Sequence, residues 1–117
     1  MELRNFEDIS IITSEEKVLT DVQSSLDLLV SVRYHTGNSK IIIKKEAIND
    51  EFFDLSTKLA GEILQKFINY EMKIAIVGDF GNIISKSLND FIYECNRGRH
   101  IFFLSSEEEA IERLKNV

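Results

Sequence analysis

Three short runs of the sequence are almost wholly apolar, Ile41–Ile43, Lys73–Val77 and Ile101–Leu104. A strand that is apolar on both sides of its pleat is typical of a parallel sheet whose two faces are covered. The segments between these runs repeat apolar residues at helical spacing. Strands that alternate with helices imply right-handed crossovers. The sequence therefore predicts an α/β fold with a mainly parallel sheet.

The first third of the chain adds a hairpin to this pattern. Asp8–Thr13 is rich in β-branched residues, and Leu3–Phe6 can pair with it through a tight turn at Glu7-Asp8. We expect one domain over residues 1–117, with a single-layer, mainly parallel sheet of four or five strands. Four amphipathic helices cover it, in the order ββαβαβαβα.

The first two helices have sequence signals at their ends. Thr20–Gln23 has the form of a capping box, and Gly37 offers a left-handed residue at the end of the helix. The apolar stripe of this helix is predicted to consist of Val22, Leu26, Leu29 and Val30. A second helix is predicted over Leu55–Tyr70, with a close approach to the sheet at Ala60-Gly61.

The last two helices are predicted in the same way. A stripe that ends at Gly98 defines the third helix, and Ser105 and Ser106, each with a glutamate three residues later, cap the fourth. The stripe of the third helix comprises Ile84, Leu88, Phe91, Ile92 and Cys95.

Composition excludes several classes of function. The net charge of −6, from 14 basic and 20 acidic side chains, argues against a nucleic-acid partner. Cys95 is the only cysteine, and His35 and His100 form no ligand pair, so we expect neither a metal site nor a cofactor. The N-terminus lacks an apolar signal, and no run approaches the ~20 apolar residues of a membrane span. We therefore expect a cytoplasmic protein that has no membrane contact.

Loops at the carboxyl ends of parallel strands meet at one edge of the sheet, where ligands of open α/β sheets usually bind. The aromatic pair Phe52-Phe53 precedes the second helix, and one ring is expected to pack against the core. A small-ligand or enzymatic site built on Lys45, Glu46 and Asp79 is one hypothesis for this edge. The residues expected along the edge are Lys45, Glu46, Asp79, Phe80, Asn82 and Ser105.

Two long segments resemble a known family. Phe52–Phe80, FFDLSTKLAGEILQKFINYEMKIAIVGDF, and Ser85–Gly98, SKSLNDFIYECNRG, are similar to a bacterial family known as domain of unknown function 4180. The closing strand and helix resemble it too. The resemblance implies a fold, but no activity is known for the family.

A more distant resemblance concerns Asp54-Leu55-Ser56-Thr57 and the order of the strands. Both are similar to STAS domains, the class of anti-sigma-factor antagonists. In that class a serine two positions after an aspartate, at the start of a helix, is phosphorylated by a partner kinase, and the phosphate breaks the complex. Ser56 matches that serine. Leu55 stands where the family has another serine, and Thr57 stands where it has glycine.

The resulting hypothesis is a non-enzymatic regulatory or protein-interaction module. Its partner-binding or phosphorylation residues are Asp54, Ser56 and Thr57, although a serine or threonine at this place can also be a simple helix cap. The chain shows no converging set of acid, base and nucleophile, which argues against an enzyme. A structural homodimer, built on an exposed helix stripe or on a sheet edge, is the third hypothesis.

Overall fold

The computed structural model describes residues 1–117 and confirms the predicted order of elements. Five strands and four α-helices alternate after the opening hairpin. The strands are β1 Glu2–Phe6, β2 Ile9–Thr13, β3 Lys40–Lys44, β4 Lys73–Val77 and β5 Ile101–Leu104. The helices are α1 Val22–Thr36, α2 Leu59–Asn69, α3 Lys86–Arg97 and α4 Glu107–Lys115, and three 3₁₀ turns lie at Lys45–Ala47, Asp50–Phe53 and Leu55–Thr57.

The sheet has the strand order β1-β2-β3-β4-β5. β1 runs antiparallel to β2, whereas β2 to β5 are parallel to one another. Each parallel strand is added beside the preceding one, so every crossover steps in the same direction. Because crossovers have one hand, α1, α2 and α3 all lie on one face of the sheet. Only α4, which follows the last strand, covers the other face.

Burial divides the core between these two faces. The α1–α3 face holds a cluster of 19 buried residues, and the α4 face holds 9, so most of the apolar burial lies under the three crossover helices. β3 shows the alternation directly, because Ile41 and Ile43 belong to the larger cluster and Ile42 to the smaller. All three side chains are at most 1% exposed. The prediction of a strand buried on both faces is confirmed.

Two predictions about α1 are wrong in detail. The N-cap is Asp21 rather than Thr20, because Asp21 accepts from the Ser24 amide at 2.7 Å while the Ser24 hydroxyl accepts from the Asp21 amide at 3.0 Å. The buried face is also rotated, since Val30 is 53% exposed whereas Leu28 and Val32 are buried. The prediction for Gly37 is confirmed, because it ends the helix at φ 74°.

α2 begins four residues later than predicted. Leu55–Thr57 forms a 3₁₀ turn, and Lys58 in the left-handed region (φ 66°) separates that turn from the helix. The predicted close approach is also wrong for Gly61. That residue is exposed, and a Cβ built there meets no atom within 4 Å. Ala60 is buried as expected.

The stripe of α3 is confirmed in part. Leu88 is buried and Phe91, Ile92 and Cys95 pack against the larger cluster, but Ile84 lies before the helix and is 99% exposed.

Asn96, also on α3, forms hydrogen bonds with the backbone of β5. Its side-chain amide donates to the carbonyl of Phe103 at 3.1 Å and accepts from the Phe103 N–H at 2.8 Å. This side chain therefore satisfies backbone groups of edge strand β5 as a further strand would.

We predict that Asn96→Ala destabilises the protein by about 1–3 kcal/mol, because both backbone groups of Phe103 lose their partner in a half-buried setting. Urea unfolding followed by far-UV circular dichroism measures this change. Gln65→Ala, which removes a hydrogen bond on the exposed face of α2, is the control. It should change the free energy of unfolding by less than about 0.5 kcal/mol. Equal effects of the two variants would contradict the role assigned to Asn96.

Candidate functional site

The edge of the sheet where β3, β4 and β5 end carries most of the residues predicted for a site. Lys45 follows β3 directly, Asp79 and Phe80 follow Val77 of β4 by two and three residues, and Ser105 follows β5. The chain from Lys45 to Lys58 crosses this edge in three 3₁₀ turns before α2 begins. We call this edge the rim.

Aromatic rings hold the rim together. Phe53 lies 6.2 Å from Phe80 between ring centroids, and Phe80 lies 5.4 Å from Phe103. Phe52, 4.9 Å from Phe53, is buried in the core, which confirms that one ring of this pair packs inward. Edge-to-face and tilted pairs at these spacings are favourable beyond the area they bury. They fix the turns after β3 against the loop after β4.

Lys45 lies over two of these rings. Its Nζ is 5.5 Å from the centroids of both Phe53 and Phe80, and it donates to the backbone carbonyl of Asp79 at 3.4 Å. Its charge is therefore attracted by two ring faces and a carbonyl dipole within the rim itself. The sequence pointed to the pair Phe52-Phe53 but not to its contact with Lys45, because only the tertiary fold brings residues 45, 53 and 80 together.

Gly78 allows the close packing of Lys45. A Cβ on Gly78 would lie 2.7 Å from the Cβ of Lys45 and 3.1 Å from its Cδ. The Gly78 amide meanwhile donates to the Leu104 carbonyl at 3.0 Å and continues the ladder between β4 and β5. The glycine is therefore required by space, at the point where the stem of Lys45 crosses the end of β4.

Asp54 and Ser56 form a compact turn at the exposed surface of the rim. The Asp54 carboxylate accepts from the hydroxyl of Ser56 at 2.7 Å and from its backbone N–H at 3.1 Å. These two hydrogen bonds, the hydroxyl one first, hold the pKa of the Asp54 carboxyl below its usual range. The Ser56 hydroxyl has no other protein partner and faces solvent.

Thr57 is placed differently, although it is the neighbour of Ser56. Its hydroxyl lies 2.8 Å from the carbonyls of both Glu51 and Asp54 and accepts from the Leu59 amide at 3.2 Å. Thr57 thus ties two 3₁₀ turns to the first residue of α2. The N-cap residue of α2 is Lys58, whose side chain makes no capping hydrogen bond, so the Thr57 hydroxyl supplies the acceptor for the first amide of the helix.

The acidic residues predicted at the rim do not converge. The Asp79 carboxylate accepts from the Gly81 amide at 2.9 Å and lies 3.5 Å from the Asn82 side-chain amide, so it closes its own turn. Glu46 is exposed and forms no ion pair or hydrogen bond with Asp79. Ser105 donates to Glu109 of α4 at 2.6 Å. The structure contains no group of three or more metal-ligating side chains.

None of the clefts on the molecule is lined by the predicted rim residues. Two of them, of about 370 and 540 Å³, flank the outer side of α1, and a smaller one of about 330 Å³ lies beside α4. The others border Glu15 and Glu62. The rim is therefore a filled surface with exposed polar groups around packed rings.

Cys95 is a half-buried residue of α3 away from the rim. Burial, with a smaller contribution from the neighbouring charge of Glu94, raises the pKa of its thiol to about 11. A thiol with this pKa is protonated at neutral pH and is a poor nucleophile. This agrees with its expected role as a small core residue. His35 lies in the last turn of α1, and His100 immediately precedes β5.

We predict opposite stability effects for one substitution at two glycines. Gly78→Ala should destabilise the protein by about 1–3 kcal/mol, because the added methyl overlaps the Lys45 stem. Gly61→Ala should stabilise it by up to about 1 kcal/mol, because alanine favours the helix and meets no atom there. Thermal and urea unfolding measure both. A destabilised Gly61→Ala would contradict the open space at Gly61, and a neutral Gly78→Ala would contradict the close packing of Lys45 against Gly78.

We predict that Cys95 in the folded protein reacts with Ellman's reagent at pH 8 roughly a hundredfold more slowly than in urea, because its thiolate fraction is lower. The raised pKa also fixes the sign of a pH dependence. The folded state keeps the proton that the unfolded state loses, so this contribution to stability is complete below about pH 9 and declines towards pH 11. Equal reaction rates in the two states would contradict the burial of the thiol.

Comparison with known proteins agrees with this architecture. A crystal structure of a proposed anti-sigma factor antagonist from Thermotoga maritima superposes with a TM-score of 0.52 and 14% sequence identity. The match covers 97% of this chain and 93% of that one. At this identity the likeness concerns the fold alone, and it confirms the STAS-like arrangement expected from the strand order.

Sequence comparison gives the family. No curated protein matches the chain. None of the helices is both long enough and apolar enough to cross a membrane. The family model described as domain of unknown function DUF4180 matches residues 4–114. This match spans the sheet from β1 onward, the rim and nearly all of α4, and the chain therefore belongs to the DUF4180 family.

Proposed function

We propose that this protein is a non-enzymatic regulatory module that binds a protein partner at the rim and is switched by phosphorylation of Ser56. We also propose that the protein acts in the cytoplasm. The STAS-like fold supports a regulatory role. The filled surface of the rim, which carries partly exposed Phe53, Leu55 and Phe80, supports recognition of a macromolecule.

The observation that carries the switch is the difference between two adjacent hydroxyl groups. Ser56 is exposed and held only by Asp54, whereas Thr57 makes three contacts with backbone groups. A kinase can therefore phosphorylate the Ser56 hydroxyl without breaking the hydrogen bonds that precede α2. Phosphorylation of Thr57 would break these three contacts. The geometry thus favours Ser56 among the two residues suggested by the sequence.

Electrostatics explains how a phosphate would act here. Phosphorylation adds a charge of roughly −1.5 to −2 at neutral pH. The Ser56 hydroxyl is now 2.7 Å from the Asp54 carboxylate, so the phosphate would meet a negative charge where the hydroxyl had an acceptor. Like-charge repulsion opens this turn. Leu55, between the two residues, moves with the turn, whereas Phe53 stays packed against Phe80, so the exposed part of the partner surface changes.

The ligand hypothesis based on Lys45, Glu46 and Asp79 finds less support. Lys45 is engaged by two rings and a carbonyl, and Asp79 closes its own turn. No cleft includes any of the three residues. A small anion would first have to displace internal contacts, and for that reason we favour a protein partner.

The switch predicts a phosphate on Ser56 in protein isolated from its native host, and mass spectrometry of the tryptic peptides detects it. Ser56→Glu should lose at least about tenfold in retention of the partner captured by wild-type protein, while Ser56→Ala retains it. Ser87→Glu is the matched control, because it adds the same charge on α3 at an exposed serine. Equal losses in the two glutamate variants would exclude a specific switch at the rim.

A second measurement separates the switch from a structural effect. Ser56→Glu should remain folded, with a free energy of unfolding within about 1 kcal/mol of wild type, because Ser56 is exposed. Thr57→Val should lose about 1 kcal/mol, because the contacts of its hydroxyl with the backbone of Glu51, Asp54 and Leu59 are removed. If Ser56→Glu is the more destabilised variant, or if Ser56 carries no phosphate under any growth condition while Ser56→Glu still captures the partner, the proposal fails.

A further inference from the structure

The two edges of the sheet are treated differently. On the β5 edge, the side-chain amide of Asn96 pairs with both backbone groups of Phe103. No element of the chain covers the outer edge of β1. Phe6 pairs with Ile9 across the two-residue turn at Glu7-Asp8, so this pair and every second pair after it exchange hydrogen bonds with β2.

It follows which backbone groups of β1 are free. Glu2, Arg4 and Phe6 direct their backbone groups toward β2, and the two residues between them, Leu3 and Asn5, direct theirs outward. A row of unpaired N–H and C=O groups is a template for another strand. Solvent-exposed edges are commonly protected by charged side chains, prolines or bulges. β1 has neither a proline nor a bulge, and its two charged side chains have opposite signs.

The side chains of β1 carry a self-complementary charge pattern instead. Glu2 and Arg4 lie on the same face, with Arg4 Nε 3.9 Å from a Glu2 carboxylate oxygen and Arg4 Nη2 2.8 Å from Glu107 of α4. An edge strand whose side chains all carried charge of one sign would repel a second copy of itself. Alternation of acid and base attracts one, provided that the two strands run antiparallel and in the right register.

We propose that β1 pairs antiparallel with β1 of a second copy, about a two-fold axis that passes beside Leu3, to form a continuous ten-stranded sheet. Leu3 then faces Leu3 of the second copy as a hydrogen-bonded pair. Glu2 faces Arg4 of the second copy, and the reverse contact follows by symmetry. A shift to either adjacent permitted register would place Arg4 opposite Arg4 or Glu2 opposite Glu2, so charge complementarity selects the first.

Apolar contacts are compatible with this register. Leu3 packs partly against the larger core cluster, on the α1–α3 face. On that face a cleft of about 370 Å³ is bordered by Met1, Val18 and Leu28. Residues 1 and 3 of a strand share a face, so Leu3 of the second copy lies beside this apolar cleft. The interface is that of one short strand, and we expect a dissociation constant in the micromolar range.

Cysteine cross-linking tests the register, with protein that carries no N-terminal tag and has Cys95 replaced by alanine. Leu3→Cys should form an intermolecular disulfide under mild oxidation, because directly opposed residues of a hydrogen-bonded pair have Cα atoms about 5.5 Å apart. Asn5→Cys is the control. Its two copies would be separated by four residues, about 13 Å, and should stay reduced. In the register with Arg4 opposite Arg4, both cysteines would be offset from their copies by two residues, about 7 Å along the strand, and neither variant would cross-link readily.

Charge exchange tests the same interface without a covalent bond. Sedimentation equilibrium from about 1 to about 500 µM should show a wild-type dimer. Glu2→Lys and Arg4→Glu should each raise its dissociation constant about tenfold, because two attractive pairs become repulsive. A mixture of the two variants should recover the wild-type value, since both pairs are attractive again.

Three results would overturn the proposal. The wild-type protein could remain monomeric over the whole concentration range. The two cysteine variants could cross-link equally. The mixture of charge variants could associate no better than either variant alone. Circular dichroism of each variant, with the wild-type spectrum as the standard, excludes misfolding as the cause of a lost dimer.

Discussion

A ladder of four parallel strands with both faces shielded from water is the constraint on which the rest of the molecule depends. Backbone groups inside such a ladder are satisfied only by the neighbouring strand, so β2 to β5 must stay in register. The crossovers between them have a single hand and place three helices on one face. As a result the loops after β3, β4 and β5 meet at one edge. The rim therefore depends on the parallel pairing of β3, β4 and β5.

The packing at Gly78 links that ladder to the surface. The Lys45 stem fills the space that a side chain at position 78 would need, and its charge lies over the rings of Phe53 and Phe80. The turns after β3 are thereby fixed to the end of β4. A change of charge at Ser56 acts on a segment that is fixed at Phe53 by ring packing and is exposed three residues later at Ser56 itself. This arrangement suits a local switch, because the core need not move.

The sequence was sufficient for elements whose signal is local and redundant. Ile41–Ile43 could only be a buried strand in this setting, and Gly37 and Ser106 cap their helices as expected. The predictions were wrong in detail where neighbouring residues suit the same position equally well. Thr20 and Asp21 are both good caps, and Leu28, Leu29 and Val30 are consecutive apolar residues among which only packing chooses. Lys58 hid the true start of α2, since its left-handed conformation has no signature in the sequence.

The candidate site divides along the same line. Asp54 and Ser56 were predicted from a local resemblance of four consecutive residues to STAS domains, whereas the contact of Lys45 with Phe53 and Phe80 depends on tertiary packing. The proposed functions also occupy different places. The rim lies over β3 to β5, and the open edge belongs to β1, two strands from β3. A dimer formed through β1 therefore leaves both rims free. Two switchable surfaces on one particle could engage a multivalent partner with higher avidity than either surface alone. Phosphorylation of a single copy would then weaken such a complex in steps, because the second rim keeps its hold.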